Sequence, residues 1–438
     1  MQLILLSGGS GKRLWPLSND VRSKQFIKIL KDRDGELESM VQRVYSQIRR
    51  MCPDAGVTVA TSRSQVSAIH NQIGEEVDVC VEPCRRDTFP AIALAAAYLH
   101  DVKGVNEDSP VIVCPVDPYV EDSYFETLKE MSSLTESGRA AIVVMGMEPS
   151  YPSDKYGYVI PEDKEHVSRV CSFKEKPDIR TAGEYIAQGA LWNAGVFALR
   201  IGYILDRARE LTGYTLYEDL REHYEELKKI SFDYAVAEHE KNIMVVRYSG
   251  EWRDVGTWNT MSEVMSGDAM GNVTMDSTCV NTKAVNELEI PLLCMGTKDM
   301  IIAASSDGIL VSGREASGYM KPFVEKITEG AAVRYADKSW GSYTVIDAEP
   351  GSLTVKVVLK AGNSMKYHSH EHRSETWNVL SGKGRAVIDG ETIPVSAGSC
   401  ISLPVGKAHK LCADTDLSVI EVQTGDVMKS DKILRDLK

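Results

Sequence analysis

The residues best suited to do chemistry stand in two groups, near opposite ends of a 438-residue chain. The first is Ser7-Gly8-Gly9-Ser10-Gly11-Lys12-Arg13-Leu14-Trp15-Pro16-Leu17-Ser18, which directly follows the apolar run at residues 2–6. Consecutive backbone N–H groups in a glycine-rich turn make a concave anion site, and Lys12 and Arg13 add full charges that a phosphate chain can use. The segment is neither of the two common phosphate loops. The glycine that opens a Walker loop is missing, Arg13 follows Lys12 where Ser or Thr would stand, and Leu14 replaces the third glycine of the dinucleotide fingerprint. Taken by itself, such a turn after a strand also reads as a tight turn and nothing more.

The second group is built on histidine. Four of the nine histidines fall between His368 and His409, in the spacing Gly362-x5-His368-x-His370-x4-Glu375-x6-Gly382 followed by Gly398-x5-Pro404-x-Gly406-x2-His409. Residues two apart on a strand share a face, so His368 and His370 point the same way. Glu375 and His409, the latter on a later strand, complete a nitrogen and oxygen set suited to zinc, iron or manganese. His372 keeps the alternation and would share the face of His370 if the strand runs that far, as an outer hydrogen-bonding group or an acid/base.

These groups need elements to hold them. Apolar bursts at 2–6, 57–60, 111–113 and 141–145 alternate with helical stretches, among them an alanine-rich one at 89–100. That alternation predicts an α/β fold, a mostly parallel sheet with helices on both faces, which binds ligands at the carboxyl ends of its strands. From about Gly271 the texture changes to short β-prone pieces at 278–281, 291–294, 300–303 and 308–311. A short helix over 320–329 leads into a third texture from Arg334, where strands at 353–359, 377–380, 385–388 and 418–422 are joined by glycine-containing turns. That pattern predicts an antiparallel sandwich or barrel. The chain therefore reads as an α/β domain over 1–265, a β-rich connector over 266–330 able to coil as a short β-helix, and an all-β domain over 331–438.

Composition sets the class of partner. With 43% hydrophobic and 26% charged residues the chain can build a sizeable core, and disorder is excluded. A net charge of −13 repels nucleic acid and anionic lipid at long range. No apolar run approaches the ~18 residues of a membrane span, and residues 1–6 lack the basic flank of a signal peptide. Nine cysteines without a C-x-x-C pair read as reduced thiols. The expectation is a cytoplasmic protein whose partners are small molecules, with no nucleic acid and no membrane among them.

Extended through Pro16, Lys24, Gln25 and Phe26, the first group resembles the signature of the sugar-1-phosphate nucleotidyltransferases, most closely the mannose-1-phosphate guanylyltransferases. Further matches follow in order: Glu82-Pro83 with Arg86, Thr88 and Pro90; Pro115-Val116-Asp117; Tyr156-Gly157-Tyr158; Phe173-Lys174-Glu175-Lys176-Pro177; Trp192-Asn193-Ala194-Gly195-Val196-Phe197; Asp233-Tyr234-Ala235; and Trp252 through Trp258. They cover residues 1 to about 260. The resemblance implies a Rossmann-like domain that transfers a guanylyl group from GTP to mannose 1-phosphate, giving GDP-mannose and pyrophosphate. Because two anions must meet in line, such a site needs cations and positioned donors more than a covalent nucleophile.

By the same resemblance Asp117 and Asp254 hold Mg2+, and Arg13 and Lys24 are catalytic charges beside them. Leu6, Gly8, Gly9, Gly11, Lys12, Arg13, Glu82, Arg86 and Asp117 receive the nucleotide, and Gly157, Glu175, Lys176 and Asn193 form the sugar-phosphate pocket. On residue type alone Asp117 also reads as a turn or cap aspartate, and Trp192 and Phe197 read as core. Asp87 stands where the family commonly has Asn, and serves equally as a helix cap. Pro118 stands where many members have His.

The histidine spacing resembles both halves of the cupin signature, a jelly-roll fold. Together with Trp340-Gly341, Arg373, Ser374, Trp377 and the Ile420-Glu421-Val422-Gln423-Thr424-Gly425 stretch it is similar to the isomerase domain of the bifunctional type II mannose-6-phosphate isomerases. That implies Zn2+ or another transition metal on His368, His370, Glu375 and His409, and interconversion of mannose 6-phosphate with fructose 6-phosphate. Three departures stand against it: His368 where those enzymes usually have Gln, Thr376 where they have His, and a chain that stops at Lys438 before their usual Tyr-Gly-Arg ending. Exposed β surface in the connector fits a homodimer. Two other readings remain open: the same chemistry with another sugar 1-phosphate or nucleotide, and a sugar- or metal-binding sensor on an inactive transferase scaffold.

Overall fold

The computed structural model describes residues 1–9, 12–19, 21–329, 333–426 and 432–433. They pack as two units, Met1–Ser10 with Lys24–Ser266, and Gly11–Ser23 with Gly267–Lys438.

The first unit is built on β1 (Gln2–Ser7), β2 (Gly56–Ser62), β3 (Asp78–Glu82), β4 (Pro110–Pro115), β6 (Ile142–Met147), β7 (Tyr158–Pro161), β8 (Val167–Lys174), β9 (Leu191–Arg200) and β10 (Ile243–Tyr248). A separate small ribbon pairs β5 (Pro118–Val120) with β11 (Trp252–Asp254). The large sheet has the order β3-β2-β1-β4-β9-β6-β10-β8-β7. Parallel pairing joins β3, β2, β1 and β4, and also β6 to β10. β9 runs antiparallel to β4, β6 and β7, and β8 antiparallel to β10 and β7. Seven of the nine strands thus point one way, with β8 and β9 reversed.

Alternate residues of β1 divide between two cores, which is why it reads as an unbroken apolar run. Leu3 and Leu5 pack with Val41, Val44 and Ile48 of α1 (Met40–Met51), while Ile4 packs with Ile92 and Leu94 of α2 (Thr88–Ala97). A Ser39/Gln42 capping box starts α1. In α2 every residue from Phe89 to Ala97 is buried, so the helix is apolar all round. Its N-cap is Asp87, whose carboxylate accepts from the Thr88 N–H at 2.8 Å.

The second unit begins with short strands in the connector: β12 (Ala269–Gly271), β13 (Val273–Met275), β14 (Lys283–Asn286), β15 (Leu292–Cys294), β16 (Met300–Ser305) and β17 (Gly308–Gly313). β12, β14 and β16 stack in parallel, as do β13 and β15, which is the stacking of a short β-helix; β17 turns back antiparallel on β16. The strand expected at 278–281 is not formed. Asp276 accepts hydrogen bonds from both the N–H and the hydroxyl of Thr278, folding the stretch into a turn with one isolated bridge from Val280 to Lys298. The glycine-rich loop packs here too: Ser305 Oγ donates to the Pro16 carbonyl at 2.6 Å, and a Cβ on Gly308 would meet the Trp15 ring at 2.3 Å.

The C-terminal part consists of two antiparallel sheets. One comprises β18 (Tyr335–Lys338), β19 (Gly341–Glu349), β20 (Ser352–Leu359), β22 (Arg373–Ser381), β25 (Cys400–Leu403) and β27 (Leu417–Gly425), in the order β18-β19-β20-β27-β22-β25. The other comprises β21 (His368–Ser369), β23 (Lys383–Ile388), β24 (Glu391–Ser396), β26 (His409–Ala413) and β28 (Lys432–Ile433), in the order β24-β23-β26-β21-β28. Val355, Val357, Trp377, Leu411, Leu417 and Val419 fill the space between them, as in a jelly roll. All nine cysteines are free thiols. No helix among the described residues is long and apolar enough to cross a membrane.

Candidate functional site

β4 ends at Pro115 and β5 begins at Pro118, so Asp117 lies in the turn just past the carboxyl end of a central strand. β5 pairs with β11 so that Asp254 stands opposite Pro118, and this short ribbon brings two aspartates from remote parts of the chain to one rim. The Lys24 ammonium lies between them, 2.6 Å from Asp117 Oδ2 and 3.8 Å from Asp254 Oδ1. Buried Gln25 and Phe26 pin the turn that carries Lys24, Gln25 Nε2 donating to Ser7 Oγ at 3.1 Å. At Gly256 a Cβ would stand 2.9 Å from Asp254 Oδ1, so the loop has to be bare there.

These groups open onto a cleft of about 310 Å³ that is also lined by Gly157, Glu175, Lys176, Asn193 and Asp233. Glu175 is buried and pairs with the Lys176 ammonium. Burial works to lower the Lys176 pKa, but Glu175 outweighs it and the net shift is upward. Gly157 makes this possible, because a Cβ there would lie 2.6 Å from Glu175 Oε2. Asn193 is held at both ends: Nδ2 donates to Asp233 Oδ1 at 2.9 Å and Oδ1 accepts from the Gly195 N–H at 3.2 Å. One N–H and one lone pair of that amide remain for a ligand. Burial, and after it the charge of Glu175, push the Asp233 carboxyl up to about 7. The arrangement offers a carboxylate and an amide to hydroxyl groups, an ammonium to a phosphate, and two further carboxylates to a cation.

Lys24, Asp117, Asp254, Gly157, Glu175, Lys176 and Asn193, all singled out in the sequence, therefore line one cleft. Leu6, Gly8 and Gly9 lie at the end of β1, with both glycines exposed and nothing within 4 Å of where a Cβ would be. Lys12 and Arg13 lie in a single helical turn in the second unit, with Lys12 half-buried and Arg13 exposed. Gly11 lies outside the described residues. Glu82 and Arg86, expected at the nucleotide, turn their side chains to the protein instead: the Tyr224 hydroxyl donates to Glu82 Oε2 at 2.8 Å, and the Arg86 guanidinium donates to the Glu225 carbonyl. Trp192 and Phe197 are core, as their type suggests. Sequence reasoning gave no role to Asp233 or Lys155, which also line the cleft; the only signal for Asp233 was its place in a matched stretch, and Lys155 had none.

In the second unit His368, His370 and His409 bring one ring nitrogen each within 4.8 Å of one another. His368 stands opposite His409 in the pairing of β21 with β26. From β22, Glu375 reaches His370 Nε2 at 2.5 Å and His409 Nε2 at 3.4 Å, and the Trp377 indole N–H donates to it at 3.1 Å. The Nδ1 atoms of His368 and His409 face the carbonyls of Lys366 and Lys407 at 2.7 and 2.8 Å. A carbonyl only accepts, so each Nδ1 carries a proton and each Nε2 is the atom turned to the cluster.

Burial holds the His368 pKa down, which favours the neutral ring. Burial works to raise the Glu375 pKa, but hydrogen bonds and charge from His370 and His409 outweigh it and hold the carboxyl well below the usual carboxylate range. Three imidazoles and a carboxylate suit a transition metal. His372 does not join them: β21 ends at Ser369, the chain turns before β22, and His372 is exposed. The polar interior continues instead through Gln423, which donates to Glu421 Oε1 at 2.5 Å; burial, and then Glu375, push Glu421 up to about 8.

A family model described as Nucleotidyl transferase matches residues 2–270, and one described as Mannose-6-phosphate isomerase C-terminal matches residues 328–436. The chain is 28% identical over 469 positions to the mannose-1-phosphate guanylyltransferase RfbM of Salmonella typhimurium, an alignment covering 99% of this chain and 96% of that protein. It is 28% identical over 473 positions to the mannose-1-phosphate guanylyltransferase of Escherichia coli K12, at 99% and 97% coverage. A solved structure from Thermus thermophilus, described as a mannose-1-phosphate geranyltransferase, superposes with a TM-score of 0.63 at 28% identity, over 74% of this chain and 98% of that one.

Proposed function

This chain belongs to the nucleotidyl transferase family, and we propose that it transfers a guanylyl group from GTP to mannose 1-phosphate, releasing pyrophosphate. The observation that carries this reading is the single cleft in which Lys24, Asp117 and Asp254 adjoin Glu175, Lys176 and Asn193. A phosphate oxygen of the sugar phosphate bonds to the α-phosphorus as the bond to the bridging oxygen of the β-phosphate breaks, and pyrophosphate leaves with that electron pair.

Lys176 meets the 1-phosphate, Glu175 accepts from a sugar hydroxyl, and the fixed Asn193 amide reads a second one, which is how a polar pocket rejects epimers. Lys24 and Arg13 offset charge on the triphosphate, Lys24 as a point charge and Arg13 as a fork, while the bare backbone at Gly8 and Gly9 offers N–H groups. Two carboxylates flanking a cation are the donor set of a hard divalent ion, and Asp117 and Asp254 would hold Mg2+. Bound there, Mg2+ supplies the charge neutralisation that two meeting anions require.

We extend the reading to a second activity in the C-terminal part, interconversion of mannose 6-phosphate and fructose 6-phosphate, on the strength of the buried histidine cluster. His368, His370, Glu375 and His409 would hold Zn2+ or another transition metal, which polarises a carbonyl. A cytoplasmic location and a homodimer through the connector, where Leu293, Ile309 and Val311 are each more than 60% exposed, complete the proposal.

Pyrophosphate release measured across the four common nucleoside triphosphates and several sugar 1-phosphates tests it, beside a coupled fructose 6-phosphate assay. GTP with mannose 1-phosphate is expected to lead. Preference for UTP or dTTP would overturn the guanine assignment, and no release with any pair would leave a binding protein on a transferase scaffold. Metal-loaded protein that forms no fructose 6-phosphate would remove the second activity alone.

A further inference from the structure

The glycine-rich loop is held by residues to which neither the motifs nor the cleft gives a role. Asn19 closes a turn in the loop, its Oδ1 accepting from the N–H groups of Val21 and Arg22 at 2.9 and 2.7 Å. Its Nδ2 donates outside the loop, to Asp307 Oδ2 at 2.7 Å and to the Tyr335 carbonyl at 3.2 Å. The other oxygen of Asp307 accepts from the Arg334 N–H at 2.8 Å, so one carboxylate ties the loop, the connector and the start of the C-terminal sheet together. Arg22 forks onto Glu287 with both N···O distances at 2.8 Å, and its guanidinium lies 5.5 Å from the centre of the Tyr335 ring. The Ser305 bond to Pro16 and the close approach of Gly308 to Trp15 add to the set. All these partners lie in the second unit.

We infer that the connector clamps the glycine-rich loop, and that Asn19, Arg22, Glu287 and Asp307 are positioning residues for triphosphate binding. The inference rests on the proposed reading of that loop as a phosphate site. Glycine loses more conformational freedom on ordering than any other residue, and Gly8 and Gly9 carry no side chain by which the turn could pack itself. Order must come from the segment that follows, and bidentate or charge-assisted hydrogen bonds give the geometric definition this needs. A loop ordered before the ligand arrives binds more tightly, because the ordering cost no longer falls on association. The clamp touches no reacting atom, so its loss should appear in the KM for the triphosphate and not in kcat. Because Arg334 precedes β18 and Tyr335 opens it, loop order also depends on the first strand of the C-terminal sheet.

Asn19→Asp sets two carboxylates against each other across the 2.7 Å contact, and adding Asp307→Asn puts a donor back opposite an acceptor. Steady-state kinetics and amide hydrogen exchange over residues 12–18, both on the full-length chain, read the result. N19D should raise the KM for GTP about tenfold and speed loop exchange about tenfold, with kcat within about threefold and the KM for mannose 1-phosphate unchanged. The N19D/D307N pair should recover most of both losses. Should N19D fail to fold, Glu287→Gln serves in its place, with an expected rise in the triphosphate KM of about threefold.

Parental KM and parental loop exchange in N19D would overturn the clamp, and so would a double variant no better than the single. If the parent releases no pyrophosphate with any pair, the functional reading fails, and hydrogen exchange alone still judges the clamp.

Discussion

The cleft and the histidine cluster are both collections of polar groups, yet they are held in opposite ways. In the cleft the charged groups come from turns and strand ends, and they neutralise one another while staying partly open, with Lys24 and Asp117 each 23% and Asp254 43% exposed. In the C-terminal sheets His370, His409 and Glu375 are at most 4% exposed, and carbonyls and an indole fix their orientation. A site that must admit and release highly charged substrates keeps counter-charges that can be exchanged. A site that keeps one ligand needs none of that freedom and gains from being locked.

The comparison breaks most sharply at Asp254. Replacing it by Ala should reduce pyrophosphate release roughly 10²–10³-fold while nucleotide binding, followed by calorimetry, persists. Turnover near the parental rate would mean that the paired carboxylates are only a structural ion pair.

His370→Ala is the matching cut in the locked cluster. It should strip metal from the chain, read by elemental analysis. It should also lower the stability of the C-terminal part by about 3 kcal/mol, because Glu375 loses a buried partner; unchanged metal content would sink the cluster as a metal site.

The smallest effect sharpens the contrast through pH. Asp233 has an ordinary pKa of 3.8 and a folded value of about 7, so the native state holds its proton more tightly than the unfolded chain does. The stability from this group is complete below about pH 4 and is lost as pH rises through about 7. Glu175, Lys176 and Asp87 are the charges that act on it. Denaturant melts at pH 5 and pH 8 should differ less in Asp233→Asn than in the parent, and an equal difference would remove Asp233 as its source.

Much of this was legible because motif residues are tied to strand ends. Asp117 follows an apolar burst, and a parallel sheet delivers whatever follows its strands to one edge. Gly157, Glu175 and Asn193 were legible from their matched stretches alone, since Gly157 precedes β7, Glu175 follows the reversed β8 and Asn193 lies within the reversed β9. His368, His370, Glu375 and His409 were legible because strand periodicity and ligand chemistry agree. Strand direction was not: residues 191–200 carry the same β-branched and aromatic pattern whichever way they run, so the reversal of β9 leaves no trace in composition. Asp233 was missed because its importance is burial, which a lone aspartate before Tyr234 does not announce. His372 was misplaced because alternation continues in the letters after the strand has ended. The packing of residues 12–19 with the second unit rests on partners nearly 300 positions away, such as Asp307 for Asn19, and no local pattern encodes them.

The three-residue pairing of β5 with β11 has a thermodynamic corollary. Asp117 and Asp254 become neighbours only after a long stretch of chain has closed, a step whose entropy must be met before any contact rewards it. An unfolded or half-assembled chain lacks the coordinating pair, so an ion selective for the finished pair adds its binding free energy to the cohesion of the whole sheet. On the proposed reading, magnesium would thus serve twice, once in turnover and once as the latch that marks a completed fold.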